Sequence, residues 1–340
     1  MAIQAQQGVN KKKKNRSINT SCKQSVTISS MITYLQRKHK ADDLQKTSRF
    51  EPGQWVQIVA PTTNEIEHIS NLLSLEPTLL QDVTDIDEMP RFEIEDGNAY
   101  LYTRFAWRGS HGGIQTEPVL FVITTNALVS LTNRHFDQLE SLLATHESLT
   151  THNAKHLLLP TLNACIQSYS NQLAYVGRQI RTARNSLRDE KFSNKHFVRF
   201  VEIEDILNDF LSELVPTNNI LLNLLAGRKL LSFTENERDI LEDLQLETAQ
   251  LIDESKGYLK TIVNIREAYS NIMTNNLNRQ IKILTTLTIV LTVPTIVGSF
   301  FGMNIDVPLD DKPYAFMLVA GGTLSFALLV LLILRKRDWL

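Results

Sequence analysis

The chain has 340 residues, room for one large or two ordinary domains, with 35 Lys and Arg against 37 Asp and Glu and a formal net charge of −2. This near-neutral balance gives no reason to expect a nucleic-acid partner, and Cys22 and Cys165 are too few for a disulfide framework and fit a reducing compartment. No HExxH, CxxC, GxSxG, GxGxxG or Walker A pattern points to an enzyme.

Residues 1–30 carry Lys11, Lys12, Lys13, Lys14, Arg16 and Lys23 with no acidic residue and many Ser, Thr and Gln. That composition predicts disorder, and residues 1–45 read as a basic N-terminal extension. An organelle transit peptide is a weaker reading, because the lysine block is not Arg-rich and amphipathic, and Met31 is an alternative start. No secretory signal opens the chain, so the large portion before the apolar C-terminal segments is expected in the cytosol.

Residues 46–156 read as an α/β or α+β domain. Trp55 to Val59, Arg91 to Glu95, Ala99 to Trp107, Pro118 to Thr124 and Ala127 to Thr132 are strand-like runs separated by turn formers such as Asp96-Gly97-Asn98 and Thr125-Asn126. Thr62, Thr63 or Asn64 is placed to cap an amphipathic helix over Glu65 to Leu73. His152 and His156 have the spacing of one helix face but no third ligand, which favours a surface pair over a zinc site.

From Leu157 the period becomes helical. Breaks near Ser193-Asn194 and between Gly227 and Thr234 divide residues 157–282 into long helices, with Pro216 as a kink or a further boundary. The last helix should run from about Glu235 to Phe301, interrupted only by Gly257 and Pro294, and approach ~100 Å.

Ile283 to Phe301 and Tyr314 to Leu334 lack Asp, Glu, Lys, Arg and His, and each is close to the ~20 residues that span a bilayer. The reading is a first span over 283–304, an outer loop over 305–313, a second span over 314–334 and a basic tail over 335–340. Arg279 and Lys282 precede the first span while Arg335, Lys336 and Arg337 follow the second, so both flanks, and both termini, should be cytoplasmic. The loop then faces outward with Asp306, Asp310 and Asp311 against Lys312, an acidic mouth that would concentrate cations.

Asn278, Thr285, Thr292 and Ser299 recur every seven residues, with Thr288 and Thr295 at the complementary heptad position. Such a stripe either faces a water-filled path or packs helices together, and periodicity favours neither. Ile281, Leu284 and Leu291 lie near the same face and could form apolar constrictions or ordinary contacts. Gly302, Met303 and Asn304 end the span. Gly and Asn favour helix C-termini and left-handed turns, yet here the Asn304 carboxamide and free carbonyls stand where an entering hydrated cation could be ringed.

At these residues the chain resembles the CorA family of divalent-cation channels, whose signature is Gly-Met-Asn after the first of two C-terminal spans. Phe301 before the triplet, Pro77 to Arg91 with its acidic centre and Met-Pro-Arg end, Tyr269 and Trp339-Leu340 after the basic cluster support the likeness over Trp55 to Leu340. The resemblance implies an α+β cytosolic domain with long stalk helices, two C-terminal transmembrane helices and a funnel-shaped homopentamer in lipid, with the bacterial plasma membrane the expected address. It places Asn304 at the outer selectivity ring and Asn278, Ile281, Leu284, Thr288, Thr292, Thr295 and Ser299 on pore-lining positions, beside Thr285 from the heptad stripe. It also implies closure by cytosolic Mg2+ bound between subunits, with Asp82 and Asp243 as the matching residues; a solvated acidic helix is the plainer reading of Asp243, and Asp85, Asp87 and Glu88 are substitutes for Asp82.

The implied function is passive, potential-driven divalent uptake, chiefly of Mg2+ with Co2+ and Ni2+ as further cargo, without a cofactor. After Asn304 the chain reads Ile-Asp-Val-Pro-Leu-Asp-Asp and lacks the Met-Pro-Glu-Leu loop of magnesium-selective members. Proton-coupled Zn2+ transport of the ZntB type and a non-conducting membrane-anchored metal sensor are therefore the alternatives.

Overall fold

The computed structural model describes residues 31–40, 42–109, 112–147, 149–188, 194–227, 231–303 and 313–337. The basic segment 1–30, Asn304, the acidic loop residues Asp306, Asp310 and Asp311, and Trp339-Leu340 lie outside the described residues.

Strands β1 (Met31–Gln36), β2 (Gln45–Thr47), β3 (Gln54–Val59), β4 (Arg91–Glu95), β5 (Asn98–Arg108), β6 (Ile114–Ile123) and β7 (Ala127–Thr132) form one sheet in the order β2-β1-β3-β7-β6-β5-β4. Among the described residues only β3 and β7 pair in parallel, from Gln54 opposite Ala127 to Val59 opposite Thr132. Helices α1 (Thr63–Leu73) and α2 (Pro77–Asp82) follow β3. Thr62 is the cap of α1, in a reciprocal capping box with Glu65, and Ser74 ends that helix in the left-handed conformation at φ 54°.

Strand alternation produces two cores. Tyr100, Tyr102, Leu120 and Val122 point toward Ile66, Ile69 and Leu80 of α1 and α2. Leu101, Phe105, Val119 and Phe121 point the other way, onto Leu158, Leu162 and Ile166 of α5 (Ala154–Arg188). The Ser168 hydroxyl of α5 also accepts from the Ala106 N–H at 2.8 Å. Two short helices, α3 (Asp137–Glu140) and α4 (Leu142–Thr145), lie between β7 and α5.

The extension expected over residues 1–45 is corrected from Met31 onward. Met31–Gln36 is an internal strand, paired antiparallel with β3 on one side and β2 on the other. Its short Ile-Thr-Tyr-Leu run carries little signal beside the charged residues that follow. Its place in the sheet comes from buried neighbours: Leu35 faces the α5 core and Tyr34 the α1–α2 core. Arg37, charged yet buried, donates from Nη1 to the carbonyls of Leu143 at 2.8 Å and His146 at 3.0 Å.

Three long helices follow: α5 with 35 residues, α6 (Asn194–Leu225) with 32 and α7 (Glu235–Phe301) with 67. Pro216 lies inside α6 and is no boundary, while α7 passes through Gly257 and Pro294. At about 1.5 Å per residue α7 is ~100 Å long. Thr234 and Glu237 close its N-terminus with a second capping box. α5 runs beside its first half, where Gln167 donates to Glu247 at 2.7 Å and an added Cβ on Gly177 would lie 2.2 Å from the Tyr258 hydroxyl. α6 packs on α7 through Arg266–Glu204 at 2.7 Å and Gln245–Asn218 at 3.0 Å.

Beyond these contacts α7 continues with α8 (Ala315–Lys336) as its packing partner. Both helices are long and apolar enough to cross a membrane, and only 6 % of the most apolar window of each is buried. Leu284 and Leu291 are 65 % and 59 % exposed, and Phe316 is 83 % exposed. Apolar exposure on this scale suits hydrocarbon rather than water.

Candidate functional site

The membrane half of α7 has two unlike sides. Thr286 is buried and Val290, Val293 and Val297 are half-buried, while Thr323, Val330 and Leu334 of α8 are half-buried and Ala327 is buried. These positions recur at three- and four-residue spacing, so they mark the face each helix turns to the other. At 3.6 residues per turn, the stripe of Asn278, Thr285, Thr288, Thr292, Thr295 and Ser299 is centred roughly 140° away from the α8-facing side of α7. All of its members are exposed except Thr285, which is half-buried. Ile281 and Leu284 are exposed on the same side.

Three hydroxyls of the stripe are already oriented. Thr288 donates to the Leu284 carbonyl at 2.9 Å, Thr292 to Thr288 at 2.7 Å and Thr295 to Leu291 at 2.8 Å. Each proton is thus spent on the preceding turn, and each oxygen keeps lone pairs free to accept from water. A row of acceptors without fixed charge can interact with a hydrated cation and release it.

Gly302 ends α7 at φ −91°, ψ −1°, right-handed rather than in the left-handed turn that glycine there suggests. Its N–H donates to the Gly298 carbonyl at 3.1 Å, and a Cβ would lie 3.3 Å from that same oxygen. The glycine therefore permits a close last turn, after which Met303 is 52 % exposed. Asn304 follows, outside the described residues.

Asp82 and Asp243 stand apart within one chain. Asp82 ends α2 on one side of the sheet, whereas Asp243 lies on α7, which belongs to the helical layer on the other side. Asp82 pairs with Arg91 at 2.6 Å. Arg91 also holds Glu88 and Glu93 and places its Cζ 3.8 Å from the centroid of the Tyr102 ring. Burial works to lower the Arg91 pKa, but Glu93 and Asp82 hold its proton and the balance is upward. Asp243 and Glu247 line a cleft of about 330 Å³ with His156 and Asn163. Burial pushes the Glu247 carboxyl up. His156 Nδ1 is 3.7 Å from Glu237, and among the described residues no group of three or more His, Cys, Asp or Glu is arranged to hold a metal.

Comparison with known proteins bears on the whole arrangement. The family model described as CorA-like Mg2+ transporter protein matches residues 51–336. The chain belongs to the CorA-like Mg2+ transporter family. Among relatives of the CorA family, the cobalt/magnesium transport protein CorA of Methanocaldococcus jannaschii is 25 % identical over 295 residues, covering 84 % of this chain and 91 % of the relative. The magnesium transport protein CorA of Escherichia coli is 22 % identical over 300 residues, with 84 % and 92 % covered. The solved complete structure of the M. jannaschii CorA magnesium transporter superposes with a TM-score of 0.80 at 22 % identity, over 92 % of this chain and 99 % of that one. The full-length CmaX structure gives 0.69 at 16 % identity over 90 % and 98 %. The CorA fold, with its α/β domain, long helix and C-terminal apolar helix, is therefore this chain's fold, and the protein is a membrane transporter of that family rather than an enzyme.

One buried constellation has no signature in the sequence. Arg104 of β5 and Glu213 of α6 form an ion pair at 2.7 Å with side chains 7 % and 5 % exposed. Thr116 and Tyr169 donate to Glu213 at 2.5 and 2.8 Å. Arg104 Nη1 also reaches the carbonyls of Ile86 at 2.8 Å and Glu88 at 2.7 Å. One guanidinium thus ties the acidic loop after Asp82 to the sheet and to α6. Burial raises the Glu213 carboxyl against the lowering effect of Thr116, Arg104 and Tyr169, and burial also pushes the Tyr169 hydroxyl well up. An apolar helix face interrupted by one glutamate is the only trace that sequence could offer.

Proposed function

We propose that the chain assembles as a funnel-shaped homopentamer and conducts Mg2+, with Co2+ and Ni2+ as further cargo, passively into the cytosol across the bacterial plasma membrane. The observation that carries this reading is the row of exposed, outward-accepting hydroxyls on α7, turned away from α8. Facing lipid, the spare lone pairs of such a row would go unused; facing copies of itself around a water-filled axis, they accept from water. Asn278, Ile281, Leu284, Thr285, Thr288, Thr292, Thr295 and Ser299 line that axis in this reading. Gly302 and Met303 lead to Asn304 at the outer entrance, where carboxamide oxygens would hold a hydrated ion, and Asp306, Asp310 and Asp311 gather cations above it.

The driving force is the membrane potential. A divalent ion moving inward gains about 4.6 kcal/mol per 100 mV, since each charge is worth ~2.3. Regulation would occur at Asp82 and Asp243 from neighbouring subunits, a reading supported by their positions on opposite sides of one subunit's sheet. A cation bridging two subunits there favours the closed population. Both termini lie in the cytosol.

Asn304→Ala in proteoliposomes tests the entrance. Selective uptake of Mg2+ over monovalent ions should fall with the oligomer intact, and undiminished flux and selectivity would remove Asn304 from the pathway.

A further inference from the structure

We propose that Arg108, Arg178 and Arg199, gathered around Tyr175, form a cytosolic binding site for a condensed phosphate anion. Three separate elements supply them: the end of β5, the middle of α5 and the start of α6. Arg108 places its Cζ 3.5 Å from the Tyr175 ring centroid and Arg178 places its own at 5.9 Å. Arg199 donates from Nη2 to the Tyr175 hydroxyl at 3.4 Å and from Nε to the Gln179 side chain.

All three arginines are exposed, and among the described residues none is within ion-pair distance of a carboxylate. Glu202, the next acidic residue along α6 after Arg199, makes no ion pair with it. This contrasts with Arg91, Arg104 and Arg266, each of which holds at least one acid. Nor do the guanidiniums of Arg108 and Arg178 donate a hydrogen bond among the described residues, so their planar forks stay open for phosphate oxygens. Two of these charges lie within about a Debye length (~10 Å) of each other, so an anion between them relieves a repulsion that solvent only partly screens.

The position and shape of the cluster choose the ligand. Gly177, two residues after Tyr175, abuts Tyr258, which stands 24 residues before Lys282. At about 1.5 Å per residue that places the cluster roughly 36 Å along α7 from the span, beyond reach of a lipid headgroup. Arg108 already covers a face of the Tyr175 ring, which leaves that face closed to a stacking base. Charges distributed around a whole tyrosine ring are spread more widely than a single tetrahedral phosphate, whereas a chain of two or three phosphates can bridge them.

Calorimetric titration of the full-length protein in detergent, in metal-free low-salt buffer, with inorganic triphosphate as the probe tests the site. Saturable binding is expected, weaker for orthophosphate and in high salt, and about tenfold or more weaker in R108Q/R178Q. Mg2+ flux without phosphate should be unchanged in that variant. No saturable binding, or equal affinity in the variant, would overturn the site. A change in oligomer size in R108Q/R178Q would also overturn it, because the arginines would then be holding a neighbouring subunit.

Discussion

Glu213→Ala should destabilise the cytosolic domain by about 3–5 kcal/mol, the usual cost of removing one partner from a buried ion pair. The structure puts this change at the upper end of what single substitutions do. Arg104 and Glu213 are 7 % and 5 % exposed, so the guanidinium left behind cannot recover water in place of the carboxylate. Thr116 and Tyr169 lose their acceptor in the same step. For a domain of this size each kcal/mol moves the melting midpoint by about 2–4 °C, which gives a fall on the order of 6–20 °C. The assay is thermal unfolding of the full-length protein in detergent, followed by tryptophan emission. R104M/E213L should recover part of the loss, since it removes the stranded cation while Thr116, Tyr169 and the Ile86 and Glu88 carbonyls still lack the partners they had. A fall of less than about 2 °C in Glu213→Ala, or a double variant no better than the single one, would refute the reasoning.

The same glutamate sets a pH dependence. Burial holds its proton to a higher pH in the folded chain than in the unfolded one, so folding takes up protons between those two pKa values and its contribution to stability falls as pH rises through that window. Glu213→Gln should flatten that part of the melting-temperature profile, and an unchanged slope would assign it elsewhere. Cys165 is 1 % exposed and burial pushes its thiol far up, so in a Cys22→Ser background thiol labelling at neutral pH should appear only on unfolding; labelling of the native protein would contradict the described packing. Thr292→Val keeps the shape but removes an outward acceptor, and should lower Mg2+ flux several-fold with assembly intact, whereas Val290→Thr on the α8-facing side should leave flux nearly unchanged.

The parts of this fold that speak through local pattern were legible. Thr62 with Glu65, the strand-like runs of β5 and β6 between turn formers, and the two apolar runs declare themselves within a few residues. The heptad of Thr285, Thr292 and Ser299 was visible as a stripe, but its direction was not, because only the packing of α8 on Thr286, Val290, Val293 and Val297 fixes which way the stripe turns. β1 was hidden for a related reason. Its six residues gain their identity from β2 and β3 on either side, and the buried Arg37 beside them looks like part of a solvated basic run until its carbonyl partners are known. The Arg104–Glu213 pair joins a strand to a helix far along the chain, and neither residue carries a motif. Asp82 was legible as acidic, while its engagement with Arg91 depends on how the turn after α2 meets β4.

Conduction through the α7 stripe is tested most directly by Mg2+ uptake into proteoliposomes under an imposed inside-negative potential, without ATP and without a pH gradient. Uptake should increase with the potential and fall when Mg2+ is placed on the cytosolic side. Correctly assembled protein that carries no Mg2+ under these conditions, or carries a divalent ion only when a proton gradient is present, would contradict a passive, potential-driven pathway.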